Sequence, residues 1–526
     1  MKRTLSFLAL LSFILLNQCS TDRPVSQVKV EGGRVEGVEE NGITVFRGIP
    51  FAAPPVGELR WRPPQPVKKW DGVLKADKFA PACPQPQRSI PGTADPGTSE
   101  DCLYLNVWTP ARSSGEKLPV MVWIYGGGFA LGSTSIPVYS GERLAEMGVV
   151  VVSVAYRVGP LGFMAHPGLT AESKNKVSGN YGLLDQIAGL KWVQKNIGAF
   201  GGDPSKVTIF GESAGAISVS MLAASPLARG LFRGAISQSG GSFAPAGENR
   251  DNGNYMPLLK GAETEGLRFM ERMGVSSIAG LRRIEPEHWM KDPAAQMGFF
   301  WPVVDGYVIT GDQYKLYQDG KYNDVNVIIG TNSDEGSMFT RPMQPEQYFT
   351  SVRNRFGYLA DRVLELYPPD SVSGTFQPLA DLFREITFAW PSWAWARLQT
   401  KTGNSKVFVY YFDHFTPEPL YPGLPPARGA AHGMEIPYVF GHLEQNPAMK
   451  ATDEQKALSE MMMKYWTNFV KRGDPNEEGL LHWPVFSEEG ETVLYFRGTP
   501  RTGPVPNLEK LKLIDEFFVW KRNSGE

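Results

Sequence analysis

Cysteine and histidine are scarce in this chain, at three and six of 526 residues. No Cys/His cluster has the spacing of a zinc site, so a structural or catalytic zinc is not expected. Basic residues number 53 against 55 acidic ones, for a formal net charge of −2. With no Lys/Arg block, nucleic acid is an unexpected partner. No apolar run reaches the ~20 residues of a membrane-spanning helix. Repeats and low-complexity tracts are also missing, which sets solenoid and fibrous architectures aside. What remains is an ordinary globular mix, 42% hydrophobic and 21% charged, on a chain long enough to bury a large core.

The first residues stand apart from the rest. Lys2 and Arg3 precede an apolar run over 5–16 and then polar Asn17-Gln18-Cys19-Ser20. A short basic start followed by a run of this length reads as a secretory leader. We therefore expect a leader over 1–19, a linker over 20–27 and a single domain over 28–526, exported to a periplasmic or extracellular location. Leu16-Asn17-Gln18-Cys19 resembles a bacterial lipoprotein cleavage box, although Gln18 stands where a small residue is usual. Lipid attachment through Cys19, with membrane anchoring, and simple release both stay open. Export favours a disulfide, and Cys83 with Cys102 would close a short loop; two buried free thiols are the alternative.

Residues 57–96 are rich in proline and turn formers and read as loop. Beyond them come short β-branched apolar runs at 119–125, 149–156, 207–210, 234–239 and 325–330. Each is strand-length and apolar on both faces, as in central strands of a parallel sheet covered by helices. Helical patterns at 183–193 and 214–224 lie between them, which argues an α/β fold. The Met- and aromatic-rich stretches 256–297 and 346–398 read as helical cap insertions.

Two glycine-rich turns follow such strands. Gly211-Glu212-Ser213-Ala214-Gly215 fits the pattern G-x-S-x-G, in which a tight strand-to-helix turn pushes a nucleophilic serine out over the sheet edge. Residues 206–210 supply the strand, and an Ala-rich run supplies the helix. Gly126-Gly127-Gly128-Phe129 follows another strand and leaves backbone N–H groups available to a ligand. It lacks the Lys-Ser/Thr of a phosphate-binding P-loop.

The chain resembles the type-B carboxylesterases, the superfamily that also holds cholinesterases and neuroligins. Glu100-Asp101-Cys102-Leu103-Tyr104-Leu105-Asn106-Val107-Trp108 matches one signature of that family. Phe200-Gly201-Gly202-Asp203-Pro204, leading to Gly211-Glu212-Ser213-Ala214-Gly215, matches the other. The resemblance implies an α/β-hydrolase fold and a serine ester hydrolase acting on small-molecule esters, with no metal or organic cofactor. It assigns Ser213 as nucleophile, Glu335 as acid and His432 as base. The oxyanion hole falls to the N–H groups of Gly127, Gly128 and Ala214. Ser239 matches a position that supports the acid, and Glu212 an electrostatic neighbour of the nucleophile.

The residues constrain the triad less tightly than the resemblance does. Asp334 competes locally with Glu335. The order Ser, acid, His leaves His414, His432, His442 and His482 as candidate bases. His432, in a small-residue loop, is the best placed to reach Ser213.

Cholinesterases hold the choline cation on a Trp between the two loop cysteines. No Trp, Tyr or Phe lies between Cys83 and Cys102, so a cholinesterase is disfavoured. Gln296-Met297-Gly298, where cholinesterases carry bulky aromatics, predicts a wider acyl pocket. The other readings are a non-catalytic, neuroligin-like binding protein, and a hydrolase specialised for aryl, feruloyl, amide or thioester substrates.

Overall fold

The computed structural model describes residues 25–86, 96–248, 256–295, 299–418, 426–445 and 449–524. The leader, most of the linker, Cys19 and the Gln296-Met297-Gly298 segment lie outside them.

Eleven strands form the main sheet. In chain order they are β1 (Val38–Glu40), β2 (Ile43–Pro50), β3 (Tyr104–Thr109), β4 (Leu118–Ile124), β5 (Val150–Val154), β6 (Gly202–Glu212), β7 (Gly234–Gln238), β8 (Asn326–Asn332), β9 (Val407–Phe412), β10 (Thr492–Phe496) and β11 (Arg501–Pro504). They pair in the order β11-β10-β9-β8-β7-β6-β4-β5-β3-β2-β1. From β5 to β10 all pairings are parallel, and both flanks are antiparallel. Every one of the five strands expected from sequence lies in the parallel centre. The flanking antiparallel strands are short or interrupted by polar residues such as Thr44, Arg47 and Asn106, so their sequences lack that continuous apolar run although β2 and β3 are largely buried. A second sheet of three short strands carries the chain's start, and one of them, Val73–Lys75, lies in the segment read as loop.

Helices cover both faces. The helix α1 (Tyr181–Asn196) buries Leu183, Ile187, Leu190 and Val193 on the sheet. The helix α2 (Ala214–Ala224), apolar but for two serines, is buried on every side. The stretch expected as cap contains α3 (Phe376–Arg384), a π-helical turn over Glu385–Ala389, and α4 (Trp390–Thr402), of which α4 packs on β8 and β9 as a core helix. Pro391 explains the wider turn: it has no N–H for the Thr387 carbonyl four residues back, and its ring would clash there. The Trp390 N–H bonds instead to the Glu385 carbonyl, five residues back. The helix α5 (Asp453–Arg472) starts with a capping box between Thr452 and Gln455 and stops at Gly473, whose φ of 73° lets the chain leave in a left-handed turn.

Cys83 and Cys102 are joined by a disulfide. The Arg157–Asp185 pair locks the end of β5 to α1 at 2.7 Å, with side chains 1% and 0% exposed. The Asp185 carboxylate also accepts the Arg157 backbone N–H at 3.0 Å. Removing one partner strands a buried charge at a cost of about 3–5 kcal/mol. Arg157→Met is expected to lose about that much stability, and Arg157→Met with Asp185→Leu to recover most of it. Equilibrium denaturation of the three proteins measures both.

Candidate active site

The carboxyl ends of β4, β6, β7 and β8 meet at one edge of the sheet, where open α/β sheets place their ligands. Ser213 occupies the turn between β6 and α2 at φ 56°, ψ −125°. A non-glycine residue rarely adopts this backbone, and such strain concentrates at functional sites. The glycines around it are steric requirements. A Cβ on Gly215 would lie 1.9 Å from the Ile124 carbonyl oxygen, and one on Gly211 would lie 2.6 Å from the Gly215 backbone.

The second glycine turn packs against this elbow. A Cβ on Gly126 would lie 2.6 Å from Glu212 Oε2 and 2.9 Å from Ser213 Cβ. Gly127, Gly128 and Phe129 follow at φ 113°, 60° and 59°. This turn closes through the Gly127 carbonyl, which accepts the Ala130 N–H at 3.1 Å. Ala214 is the first residue of α2, so its N–H has no acceptor within that helix.

Glu335 and His432 come together although 97 residues separate them. Glu335 Oε2 lies 2.6 Å from His432 Nδ1, and Oε1 accepts the Asn332 N–H at 2.6 Å. The loops carrying them are stitched together by three further bonds. Ser333 Oγ accepts the Ala430 N–H at 2.7 Å, the Asp334 N–H donates to the Ala430 carbonyl at 2.8 Å, and Asn332 Nδ2 donates to the Ala431 carbonyl at 2.8 Å. Asp334, the local competitor, is occupied elsewhere: Ser337 Oγ donates to its carboxylate at 2.6 Å.

His432 Nε2 lies 3.1 Å from Glu212 Oε1, within ion-pair distance but not aligned as a hydrogen bond. It makes no hydrogen bond to Ser213 in this structure. Such bonds are often long in ligand-free sites and tighten around the substrate. His414, His442 and His482 are absent from this cluster. His414 accepts the Gly498 N–H, and His442 Nε2 meets the Ser140 carbonyl at 3.0 Å.

Ser239 does not reach Glu335 by a hydrogen bond. Its Oγ is buried without a partner, and its N–H is tied to the Gly330 carbonyl at 2.8 Å. The Asn332 backbone supports the acid instead. A third carboxyl, Glu435, escaped the sequence reading although it lies three residues after His432. It is fully buried and accepts from Asn332 Nδ2 at 2.6 Å and Gln238 Nε2 at 3.1 Å. Only its position in a run of apolar neighbours hinted at burial.

Burial disfavours a charged His432, but the Glu212 and Glu335 carboxylates outweigh it and raise the imidazole to about 9. Burial raises Glu212 to about 8, with Glu435 and Glu335 adding to the rise and His432 opposing it. Glu435 is also raised, by burial and then by the Glu335 charge.

A half-buried, strained serine thus lies at the elbow next to Glu212, which faces the His432–Glu335 pair. Residues 24–512 match the carboxylesterase family. The chain belongs to that family. It is 40% identical to a fumonisin B1 esterase of Sphingopyxis macrogoltabida, over 90% of this chain and 87% of that one. It is 37% identical to the para-nitrobenzyl esterase of Bacillus subtilis (strain 168), covering 89% and 94%. Identity to the acetylcholinesterase of Bungarus fasciatus is 35%, covering 88% and 81%. Among solved structures, a PNB esterase superposes with a TM-score of 0.79 at 35% identity, over 93% of this chain and 99% of that one. A thermophilic PNB esterase gives 0.80 at 36%, with the same coverage. The fold is thus the α/β-hydrolase fold expected from sequence, and the protein is a carboxylic ester hydrolase.

In this esterase a neutral imidazole is the form that can accept a proton. A raised histidine keeps its proton to higher pH, so activity should rise with pH along a limb above the ordinary 6.5. Glu212→Gln removes the carboxylate beside Nε2 and should move that limb to lower pH. The pH profile of kcat/KM for both proteins measures the shift.

Proposed function

We propose that this carboxylesterase cleaves neutral esters through a Ser213–His432–Glu335 triad and an acyl-enzyme. The 2.6 Å contact between His432 Nδ1 and Glu335, with Nε2 turned toward the Glu212–Ser213 elbow, carries the reading. Ser213 Oγ attacks the ester carbonyl and forms the O–C bond as its proton passes to His432 Nε2. Glu335 holds the ring in the tautomer with Nε2 free and stabilises the imidazolium. The N–H groups of Gly127, Gly128 and Ala214 receive the developing oxyanion, which such fixed donors stabilise without reorganisation. The C–O bond to the alcohol breaks as His432 returns the proton to it. Water then gives its proton to His432, adds to the acyl carbon, and expels Ser213 with that same proton.

Ser213→Ala is expected to lower kcat by about 10³ or more. Intact mass after treatment with an aryl phosphonate should show one adduct on the wild type and none on the variant. A variant retaining most of its activity would remove Ser213 from the mechanism.

Aromatic rings flank the site on two sides and favour apolar and aryl esters. Phe129, in the glycine turn, packs edge-on to Trp301 at 4.6 Å, and Phe339 and Phe388 lie against His432. One relative is named for para-nitrobenzyl esters and another for fumonisin B1, and we place this chain with the former. In a panel of para-nitrobenzyl, para-nitrophenyl and feruloyl esters with fumonisin B1, the aryl esters should show the higher kcat/KM. Hydrolysis of fumonisin B1 alone would overturn this assignment. The basic-then-apolar start at 2–16 supports export, with Cys19 as a candidate lipid anchor.

A further inference from the structure

The α3–π-turn segment of the cap touches the acid loop and the histidine at once. Gly336 follows Glu335, and a Cβ there would lie 1.8 Å from the Ala380 carbonyl oxygen of α3. Only a glycine lets the helix backbone approach the acid loop so closely. One turn later Arg384 donates from Nη1 to the Ser333 carbonyl at 2.6 Å. Arg384 is itself held by Glu385 at 2.6 Å and Asp381 at 3.2 Å, and Lys510 braces Asp381 at 3.2 Å. The π turn then brings Phe388 onto His432, with ring centroids 4.5 Å apart and planes 29° apart. Phe339, from the acid loop's own continuation, meets the same imidazole edge-on at 5.2 Å.

We propose that residues 380–388 are a positioning element that sets Glu335 and His432 against each other, with Arg384 acting on the acid loop and Phe388 on the imidazole. The proposal rests on the triad reading above. The π turn is what lets one rigid segment do both. Arg384 and Phe388 are four residues apart, close to one helical turn, and widening that turn changes the angle between them. A ring stacked on the imidazole restricts its rotation about χ2, the freedom that the single bond to Glu335 leaves. A side chain that only lined the substrate site would affect esters according to their acyl group. A positioning residue affects every ester alike, because the same imidazole serves acylation and deacylation.

The test compares Phe388→Leu, Phe388→Tyr and Arg384→Met/Glu385→Gln, the last keeping the buried pair neutral, with Ser213→Ala run in parallel. Phe388→Leu should lower kcat about tenfold with KM within about twofold. The loss should be the same for para-nitrophenyl acetate, butyrate and octanoate, and the same in the pre-steady-state burst and the steady state. Phe388→Tyr should restore kcat. The Arg384/Glu385 variant should move the acid limb of kcat/KM to lower pH, since a loosened Glu335 stabilises the imidazolium less. Combining it with Phe388→Leu should cost less than the product of the separate losses. In the wild type, histidine-labelled NMR should show the His432 Cε1–H resonance displaced upfield by the Phe388 ring, a reading that needs no variant to fold. Full activity in Phe388→Leu, a loss that follows acyl length, or an undisplaced resonance would each overturn the proposal. Retained activity in Ser213→Ala would instead overturn the triad reading beneath it.

Discussion

The contact between the glycine turn after β4 and the elbow after β6 governs the rest of the site. Ser213 takes its strained backbone because β6 must pass directly into α2 under the Ile124 carbonyl, with no room for a side chain on Gly215. Gly126 fits against Glu212 and Ser213 for the same reason. The strain is local, and two layers of helices over a parallel sheet hold it in place. Once that edge is built, Ser213, the candidate oxyanion donors and Glu212 are placed together.

The acid and base arrive by a different route. Their loops are joined to each other by Ser333, Asp334 and Asn332 before they meet the serine. The result is a buried cluster of three carboxyls, Glu212, Glu335 and Glu435, around one imidazole. Glu435 has neutral partners in Asn332 and Gln238, so its cost is met by hydrogen bonds and not by a countercharge. The cluster's field favours a protonated histidine, which in the proposed mechanism would stabilise the imidazolium and oppose the neutral form.

Five of the seven central strands were legible because each is a short run apolar on both faces; β9 and β10, equally apolar, were not among those expected. The flanking strands, three to eight residues long, were not legible, since polar residues interrupt them beside turn-rich neighbours. At the site, the elbow at Ser213 and the glycine turn at 126–128 stood out by local pattern, while the resemblance supplied Gly127, Gly128 and Ala214 as oxyanion donors. Glu335 and His432 were legible chiefly through resemblance to a family, since Asp334 and three other histidines satisfied the same local rules. The resemblance gave Ser239 as support for the acid, and its Oγ is buried without a hydrogen bond in this structure. A backbone N–H, that of Asn332, carries no side-chain signature to find.

The sequence by itself determined the strand-to-helix elbow and the glycine turn. These depend on short-range sterics, on φ angles open to glycine and on hydrophobic period. Tertiary structure alone decided which carboxyl faces the imidazole, which atoms support it and how the cap reaches it. Asp334 and Glu335 are neighbours in sequence, and only the bonds from Ser337 to one and from His432 to the other tell them apart. The same holds for Phe388, an ordinary aromatic in a helical pattern until Pro391 widens its turn and the fold brings His432 beneath it.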